Sequence, residues 1–490
     1  MKRRDFLRGA AALPLLRSPI AAAAMPVAQD NLVNDVHTGL NPTRVERILR
    51  PASVAELRDL VRDCARHNKI ISISGSRHAA GGQQFAEGST LLDMRALVQV
   101  HDLNPTSGVL TVDSGVEWPE LIRGYMNLQG NDPLWGVRQK QGGADRMTLG
   151  GALAANAHGH GLGIPPIVAD VEWIDLLTAD GALQRCDRRK NKELFALAVG
   201  GYGLFGIITT VGLRLAPRRK LRRRVEKRTL AEALALIQRR TKAGAPYGYF
   251  QYDIAETSAE FLRAGILTTW EPAPENAAIT AQSADLDEES LSRLLELAHY
   301  DRESAYRKYA SFELDKDGFI EWSDLHQLSN YPAGYHKKIE SRRDSIAPGA
   351  DLILETYVPR NQLISFIEDA RFLLQKSEIP LVYGTVRFIE KDTDTFLAWA
   401  RKPYACVIFT PHVAYAEADM EKGRALCRQL EHFAVKRGGS FYLTYNRFAT
   451  RSELSDAYPQ FSDFLILKRR YDPNELFQSE WYRYYKKLYS

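Results

Sequence analysis

Cysteine is scarce in this 490-residue chain: Cys64, Cys186, Cys406 and Cys427 are scattered, with no C-x-x-C pair and no zinc spacing. That excludes a disulfide scaffold and a cysteine-built metal framework, and leaves each thiol to act as a small buried hydrophobe. Long hydrophobic runs are also missing. The apolar stretch Gly9 to Leu16 is interrupted by Arg17, Ser18 and Pro19 and falls well short of the roughly 20 residues of a spanning helix, so no stable membrane span is expected. Charge of one sign is lacking too. Lysine and arginine number 65 against 60 acids, and the first 24 residues hold Lys2, Arg3, Arg4, Arg8 and Arg17 against Asp5, so only +1 of the formal +5 belongs to the remainder. A chain so near neutrality has no field for a phosphate backbone, which argues against nucleic acid and for a small-molecule partner. No repeat or low-complexity tract is evident.

What the chain does have is bulk: 45% hydrophobic and 26% charged residues over 490 positions can bury more than one core, and two domains are expected. Residues 1–24 read as an export signal, with Arg3-Arg4-Asp5-Phe6-Leu7-Arg8, a short apolar run and the small residues Ala21 to Ala24, similar to a Tat signal. A periplasmic or secreted location follows as an expectation.

Beyond Val45 strand and helix patterns alternate. Ser53-Val54-Ala55-Glu56 reads as a capping box opening a helix through Leu57, Leu60, Val61 and Cys64. Strands are expected at 70–74, 91–93, 109–113 and 171–177, and a helix opens at Trp118 to Leu121. Pro217 and the basic run Arg218, Arg219, Lys220, Arg222, Arg223 and Arg224 mark a boundary, read as a solvated linker or sheet edge. Further on, helices are expected at 230–241, 288–299 and 362–375, and strands at 352–357, 381–389 and 406–412.

Chemistry concentrates in glycine-rich loops beside strands, where a missing Cβ lets backbone N–H groups approach a pyrophosphate. They are Gly75-Ser76-Arg77-His78-Ala79-Ala80-Gly81-Gly82, Thr148 through Gly159 and Gly200-Gly201-Tyr202-Gly203-Leu204-Phe205-Gly206, with Asp113-Ser114-Gly115-Val116 between the first two. Loops of this kind in this order resemble the FAD domain of the vanillyl-alcohol oxidase superfamily, the PCMH-type FAD-binding domain. Tyr442-Leu443-Thr444-Tyr445 and the segment from Tyr458 to Phe477 resemble the closing part of its sugar, aldonolactone and alditol oxidoreductases.

The resemblance implies an α+β fold with a two-part FAD-binding domain over 43–217, a mixed α+β substrate (cap) domain over 218–440, and a C-terminal segment, 441–490, returning to the FAD domain. It implies FAD as cofactor, with Gly75, Ser76, Arg77, His78 and Ala79 around the pyrophosphate. Gly115 and Thr148, Leu149, Gly150 and Gly151 would meet the ribityl and phosphate region. Ala155, Asn156, Ala157 and His158 would border the isoalloxazine, with Ile207 and Tyr442 beside the flavin. His78 stands where many relatives bond the 8α-methyl of FAD, and the alternative is a noncovalent histidine packed at the flavin.

Relatives acting on polyols and lactones carry Glu-x-Arg on a strand and His-x-x-Lys near the C-terminus. Here the strand reads Thr385-Val386-Arg387, and Tyr445 stands where a lysine is expected. Hydride removal still requires a proton acceptor and a group that steadies an oxyanion. Tyr445 or His412 is the candidate for the first and Arg387 for the second; the plainer readings are a packed tyrosine, a structural histidine and an arginine paired with Glu390. His158 and His160 lack a third ligand at metal spacing, and Glu313 to Asp324 departs from an EF-hand loop at its first and last ligands, so no metal is expected. The resulting expectation is an FAD-dependent oxidoreductase acting on a small hydroxylated substrate, reoxidised by oxygen or an electron carrier. The alternatives are a periplasmic dehydrogenase feeding a quinone or cytochrome, and a noncatalytic flavin- or substrate-binding module.

Overall fold

The computed structural model describes residues 31–280, 286–329, 339 and 347–490. The Tat-like segment at 1–24 lies outside them. The first half is built on two sheets. A three-stranded parallel sheet has the order β1–β3–β2, from β1 (Arg47–Leu49), β2 (Ile71–Ser74) and β3 (Thr90–Asp93). Helix α1 (Val54–Arg66) connects β1 to β2 and buries Leu57, Val61 and Cys64 at helical spacing. Ser53 caps it by accepting from the Glu56 N–H, whereas the Glu56 carboxylate accepts from Ala52 N–H, so the reciprocal half of the expected box is shifted by one residue.

The second sheet is five-stranded and antiparallel. Its strands are β4 (Val100–Leu103), β5 (Val109–Asp113), β6 (Val171–Leu177), β7 (Leu183–Asp187) and β8 (Ile207–Arg214), in the order β7–β6–β8–β5–β4. Helices α2 (Trp118–Gln129), α3 (Leu149–Ala154) and α4 (Lys192–Ala198) complete this half.

The basic run expected as a solvated linker or sheet edge opens a strand one short strand from the sheet's edge. β9 (Lys220–Thr229) pairs with β11 (Ala264–Pro272) and β12 (Ile320–Trp322). It is tolerated there because its buried cation finds buried acids: Arg223 bonds Glu313 and Arg218, just before the strand, bonds Asp324. Glu313 and Asp324 are also the ends of the EF-hand-like segment, so the same contacts engage the carboxylates at its two ends. Helix α5 (Leu230–Lys242) opens on a complete capping box of Thr229 and Glu232, and β10 (Tyr247–Tyr252) follows. Helices α6 (Glu288–Tyr300) and α7 (Arg302–Leu314) precede β12.

The large sheet continues with β13 (Gly349–Asp351), β14 (Leu354–Pro359), helix α8 (Leu363–Ser377), β15 (Leu381–Ile389), β16 (Tyr404–Ala414), helix α9 (Glu417–Lys436) and β17 (Ser440–Phe441). Strand order is β12–β9–β11–β10–β15–β16–β14–β17, with β13 paired to β16. Strand β16 is buried on both faces, and its alternation divides two cores. Cys406 and Ile408 join the core of the first half, whereas Ala405, Val407 and Phe409 join the core under α8 and α9. Period-two side-chain geometry makes that division automatic.

The C-terminal helices α10 (Arg451–Ala457), α11 (Phe461–Tyr471) and α12 (Glu480–Tyr489) bury Phe461, Phe464, Trp481 and Tyr485 in the same core as β5, β6 and β8. Phe477 runs parallel to Ile71 in a bridge beside β2. No helix among the described residues is long and apolar enough to cross a membrane.

One buried ion pair ties α2 to the start of the large sheet. Both Asp324 oxygens accept from Arg218 Nε at 2.9 to 3.0 Å, and one also accepts from the Tyr125 hydroxyl at 2.7 Å. Removing the carboxylate strands a buried guanidinium. Asp324→Ala should therefore cost about 3–5 kcal/mol of stability, measured by denaturant unfolding; a loss below ~1 kcal/mol contradicts this account of the contact.

Candidate active site

A single elongated cavity of about 500 Å³ runs from the glycine-rich loops to the face of the large sheet. Of the residues expected at the cofactor, Gly75, Ser76, Arg77, His78, Ala79, Thr148, Gly150, Gly151, Ala155, Ala157, His158, Ile207 and Tyr442 line it. Gly115, Leu149 and Asn156 do not, and each has a packing reason. A Cβ at Gly115 would sit 2.0 Å from the Met94 carbonyl oxygen, and Leu149 is fully buried in the core. Asn156 adopts a left-handed φ of 48° and uses its amide to bond Asp392 while accepting from Val168 N–H.

The cavity's loop end suits a nucleotide. Gly75 is required by close approach, since a Cβ there would lie 2.1 Å from Thr148 Oγ1. Arg77 holds a left-handed φ of 64°. Ser74 Oγ and Arg77 Nε are buried without a hydrogen-bond partner among the described residues. Such groups are costly unless a ligand satisfies them, and both belong to residues on the cavity wall.

His78 also lines the wall. Its Nε2 lies 2.7 Å from the Arg146 carbonyl and its Nδ1 3.0 Å from His37 Nε2. A carbonyl only accepts, so Nε2 carries the proton and Nδ1 holds the lone pair. Burial lowers the pKa of His78 below the usual imidazole value, with the Arg146 carbonyl opposing. A neutral ring with a lone pair on Nδ1 is the state a nucleophile needs.

At the other end the sheet supplies a constellation that the sequence reading did not assemble. Glu355 on β14 faces Ile408, which faces Thr385 on β15; one step along, Tyr357, Cys406 and Arg387 form the next row. Cross-strand partners share a face, so Glu355 and Arg387 look into the same space from strands separated by β16. Glu355 Oε2 accepts from Tyr357 OH at 2.9 Å and lies 3.0 Å from His158 Nε2 and 3.8 Å from Cys406 Sγ. Among the described residues, Oε1 accepts only from Tyr445 OH, at 3.3 Å.

Burial alone would raise the pKa of Glu355. The charge and hydrogen bond of His158, with Arg387 behind them, more than offset it and hold the carboxyl below its ordinary value. Burial, reinforced by the Glu355 charge, keeps the hydroxyls of Tyr357 and Tyr445 and the Cys406 thiol protonated well above their ordinary ranges. Glu355 is thus an ionised acceptor surrounded by donors.

Arg387 is buried and cationic, its charge sustained by Tyr383 and Glu355 against burial. No carboxylate among the described residues lies within ion-pair distance of it; Glu390 pairs with Arg360 instead, at 2.7 Å. The guanidinium fits because position 142 is glycine, where a Cβ would stand 2.3 Å from it. Tyr445 joins this group, but His412 does not. It lies beyond Thr410 on the same face of β16, outside the cavity, with Nδ1 2.7 Å from Asp351. Glu355 was missed because the Glu-x-Arg pattern places both groups on one strand, whereas here they come from two. Its one sequence signal was a carboxylate inside a strand whose other positions are buried.

Residues 45–187 match the family model described as an FAD binding domain. The chain carries an FAD-binding domain. The protein is 31% identical to an oxidoreductase of the fasciation locus of Rhodococcoides fascians over 171 residues, 34% of this chain and 37% of that one. It is 31% identical to cytokinin dehydrogenase 7 of Oryza sativa subsp. japonica over 229 residues, 44% and 43% of the two chains. It is 22% identical to L-gulono-1,4-lactone dehydrogenase of Mycobacterium tuberculosis over 441 residues, 89% and 95% of the two chains. The match thus covers about two fifths of the first two relatives and nearly all of the third. The first two matches span less than half of this chain and the third spans most of it.

Two outcomes follow for the site. If His78 Nδ1 carries the flavin, acid-denatured protein keeps its yellow colour on the His78 peptide and His78→Ala releases FAD; colour lost from the wild-type polypeptide rules the bond out. Because the folded pKa of Glu355 is depressed, the stability its ionised form contributes is present above the ordinary glutamate range and is lost as pH falls through its folded value. Difference infrared titration against Glu355→Gln should therefore find its protonation below the ordinary glutamate range; protonation near neutrality contradicts the assignment.

Proposed function

We propose that the protein is an FAD-dependent oxidoreductase that removes hydride from a C–H bearing a hydroxyl group in a small hydroxylated or lactone-like donor. The observation that carries this reading is the placement, on one face of the cavity, of an ionised Glu355 and an Arg387 that has no carboxylate partner among the described residues. FAD, when bound, would supply the hydride acceptor and the outlet for electrons to an outside acceptor, oxygen or a carrier.

The chain's own residues do the rest. Arg387 attracts the donor oxygen and steadies the negative charge that grows there as the proton leaves. Glu355 Oε1, the oxygen with one long hydrogen bond, takes the proton, while Tyr445 donates to the same region and orients the hydroxyl. His158, Tyr357 and Cys406 hold the other carboxylate oxygen and fix the side chain. The wall beyond this point carries Tyr249, Trp270, Tyr309 and Phe312, which favours a donor with a flat or ring-shaped apolar part over a bare polyol. Export through the twin-arginine segment at 1–24, giving a periplasmic site of action, is part of the same proposal.

Activity should be assayed on lactone and cytokinin donors, under air and with an artificial electron carrier. Glu355→Gln is expected to lower kcat by about 10²–10⁴-fold with FAD retained. Arg387→Met should cost about 10²–10³-fold, and Tyr445→Phe less than either. A Glu355→Gln enzyme as fast as wild type overturns the proton-acceptor role, and a flavin that no hydroxylated donor reduces leaves only a binding module.

A further inference from the structure

Outside the flavin site, His299, Asp351 and His412 converge from three separate elements. Asp351 closes β13 and is the cross-strand partner of His412 on β16, and His299 lies one residue from the end of α6. Their candidate ligand atoms lie within 4.8 Å of one another. His299 Nε2 and His412 Nδ1 both point at the same oxygen, Asp351 Oδ1, at 3.2 and 2.7 Å.

The outer ring nitrogens define the problem. His299 Nδ1 lies 2.7 Å from the Leu295 carbonyl, and His412 Nε2 lies 3.3 Å from the Ala347 carbonyl. Carbonyls only accept, so each outer nitrogen carries a proton. A neutral ring with its outer nitrogen so engaged turns its inner lone pair toward Asp351, and the two rings meet there 4.8 Å apart, centroid to centroid, in a largely buried place. A divalent cation between the two inner nitrogens and the carboxylate would be held by all three.

Outer nitrogens bonded to backbone carbonyls are the arrangement that orients metal-binding imidazoles. Two nitrogens and one oxygen select zinc and its first-row neighbours over magnesium or calcium. We propose that His299, Asp351 and His412 form a zinc-class cation site, separate from the flavin site, that clasps α6 to the large sheet. Leu291 and Leu295 of α6 and Asp351 itself line the substrate end of the cavity. The clasp therefore fixes one wall of that cavity, and the cavity offers a path for the ion and room for a water as fourth ligand. Sequence spacing could not reveal the site, since its ligands are spread over 114 positions, from 299 to 412.

The test uses the full chain with its flavin, treated with a chelator and then titrated calorimetrically with zinc chloride. Wild type should bind one equivalent and melt at a higher temperature with zinc than without. His299→Ala and His412→Ala should each weaken binding by about 100-fold and abolish the zinc-dependent rise in melting temperature, with flavin content unchanged. Should the alanine variants not fold, Asp351→Asn keeps the shape of the carboxylate while removing its charge, and it too should weaken zinc binding. The proposal is overturned if wild type binds no zinc, or if the folded variants bind it with wild-type affinity.

Discussion

The alternation of strand β16 is the constraint on which the rest depends. A strand buried on both faces must send every second side chain to each of two cores, and β16 delivers Ala405, Val407 and Phe409 to one and Cys406 and Ile408 to the other. Its neighbours β14 and β15 inherit the phase through their register, which aligns Glu355 with Thr385 and Tyr357 with Arg387 across it. A one-residue slip in either pair would turn the carboxylate or the guanidinium away from the cavity. The apolar cores thus hold the polar site in place.

Electrostatics then sort the groups that share this face. A buried carboxylate is tolerated because His158, Tyr357, Tyr445 and Cys406 surround it, and the division of labour between its two oxygens follows from how many donors each receives. A buried guanidinium without a carboxylate partner among the described residues is the complementary feature. It is costly in isolation, and a site that acquires an oxyanion during reaction can make use of it. The loop end of the cavity repeats the logic with Ser74 Oγ and Arg77 Nε, buried groups that ligand oxygens would satisfy.

The fold was legible wherever local patterns decide it. The strands 109–113, 171–177 and 381–389 have the bounds expected from sequence, and the helices at 230 and 288 begin at the residues expected. The basic run at 218–224 was read as a solvated linker or sheet edge, and its strand does lie one short strand from the edge; what charge pattern could not show is that Arg218 and Arg223 are buried against Asp324 and Glu313, about ninety or more positions away in sequence. Most of the expected cofactor loop residues line the cavity, since glycine and a turn are local signals. Glu355 was hidden because its meaning comes from strand order. Position 142 carried a legible glycine whose purpose appears only when Arg387 is laid against it. His412 was expected as a candidate proton acceptor, but it lies outside the cavity with Asp351 as its partner.

The most direct measurement is a crystal structure of the flavin-loaded protein. It should have the pyrophosphate against Gly75 to Ala79 and the isoalloxazine beside His158 and Tyr442, with its reactive face turned to the space between Glu355 Oε1 and Arg387. A flavin bound elsewhere, or one whose reactive face is turned away from Glu355 and Arg387, would contradict the account.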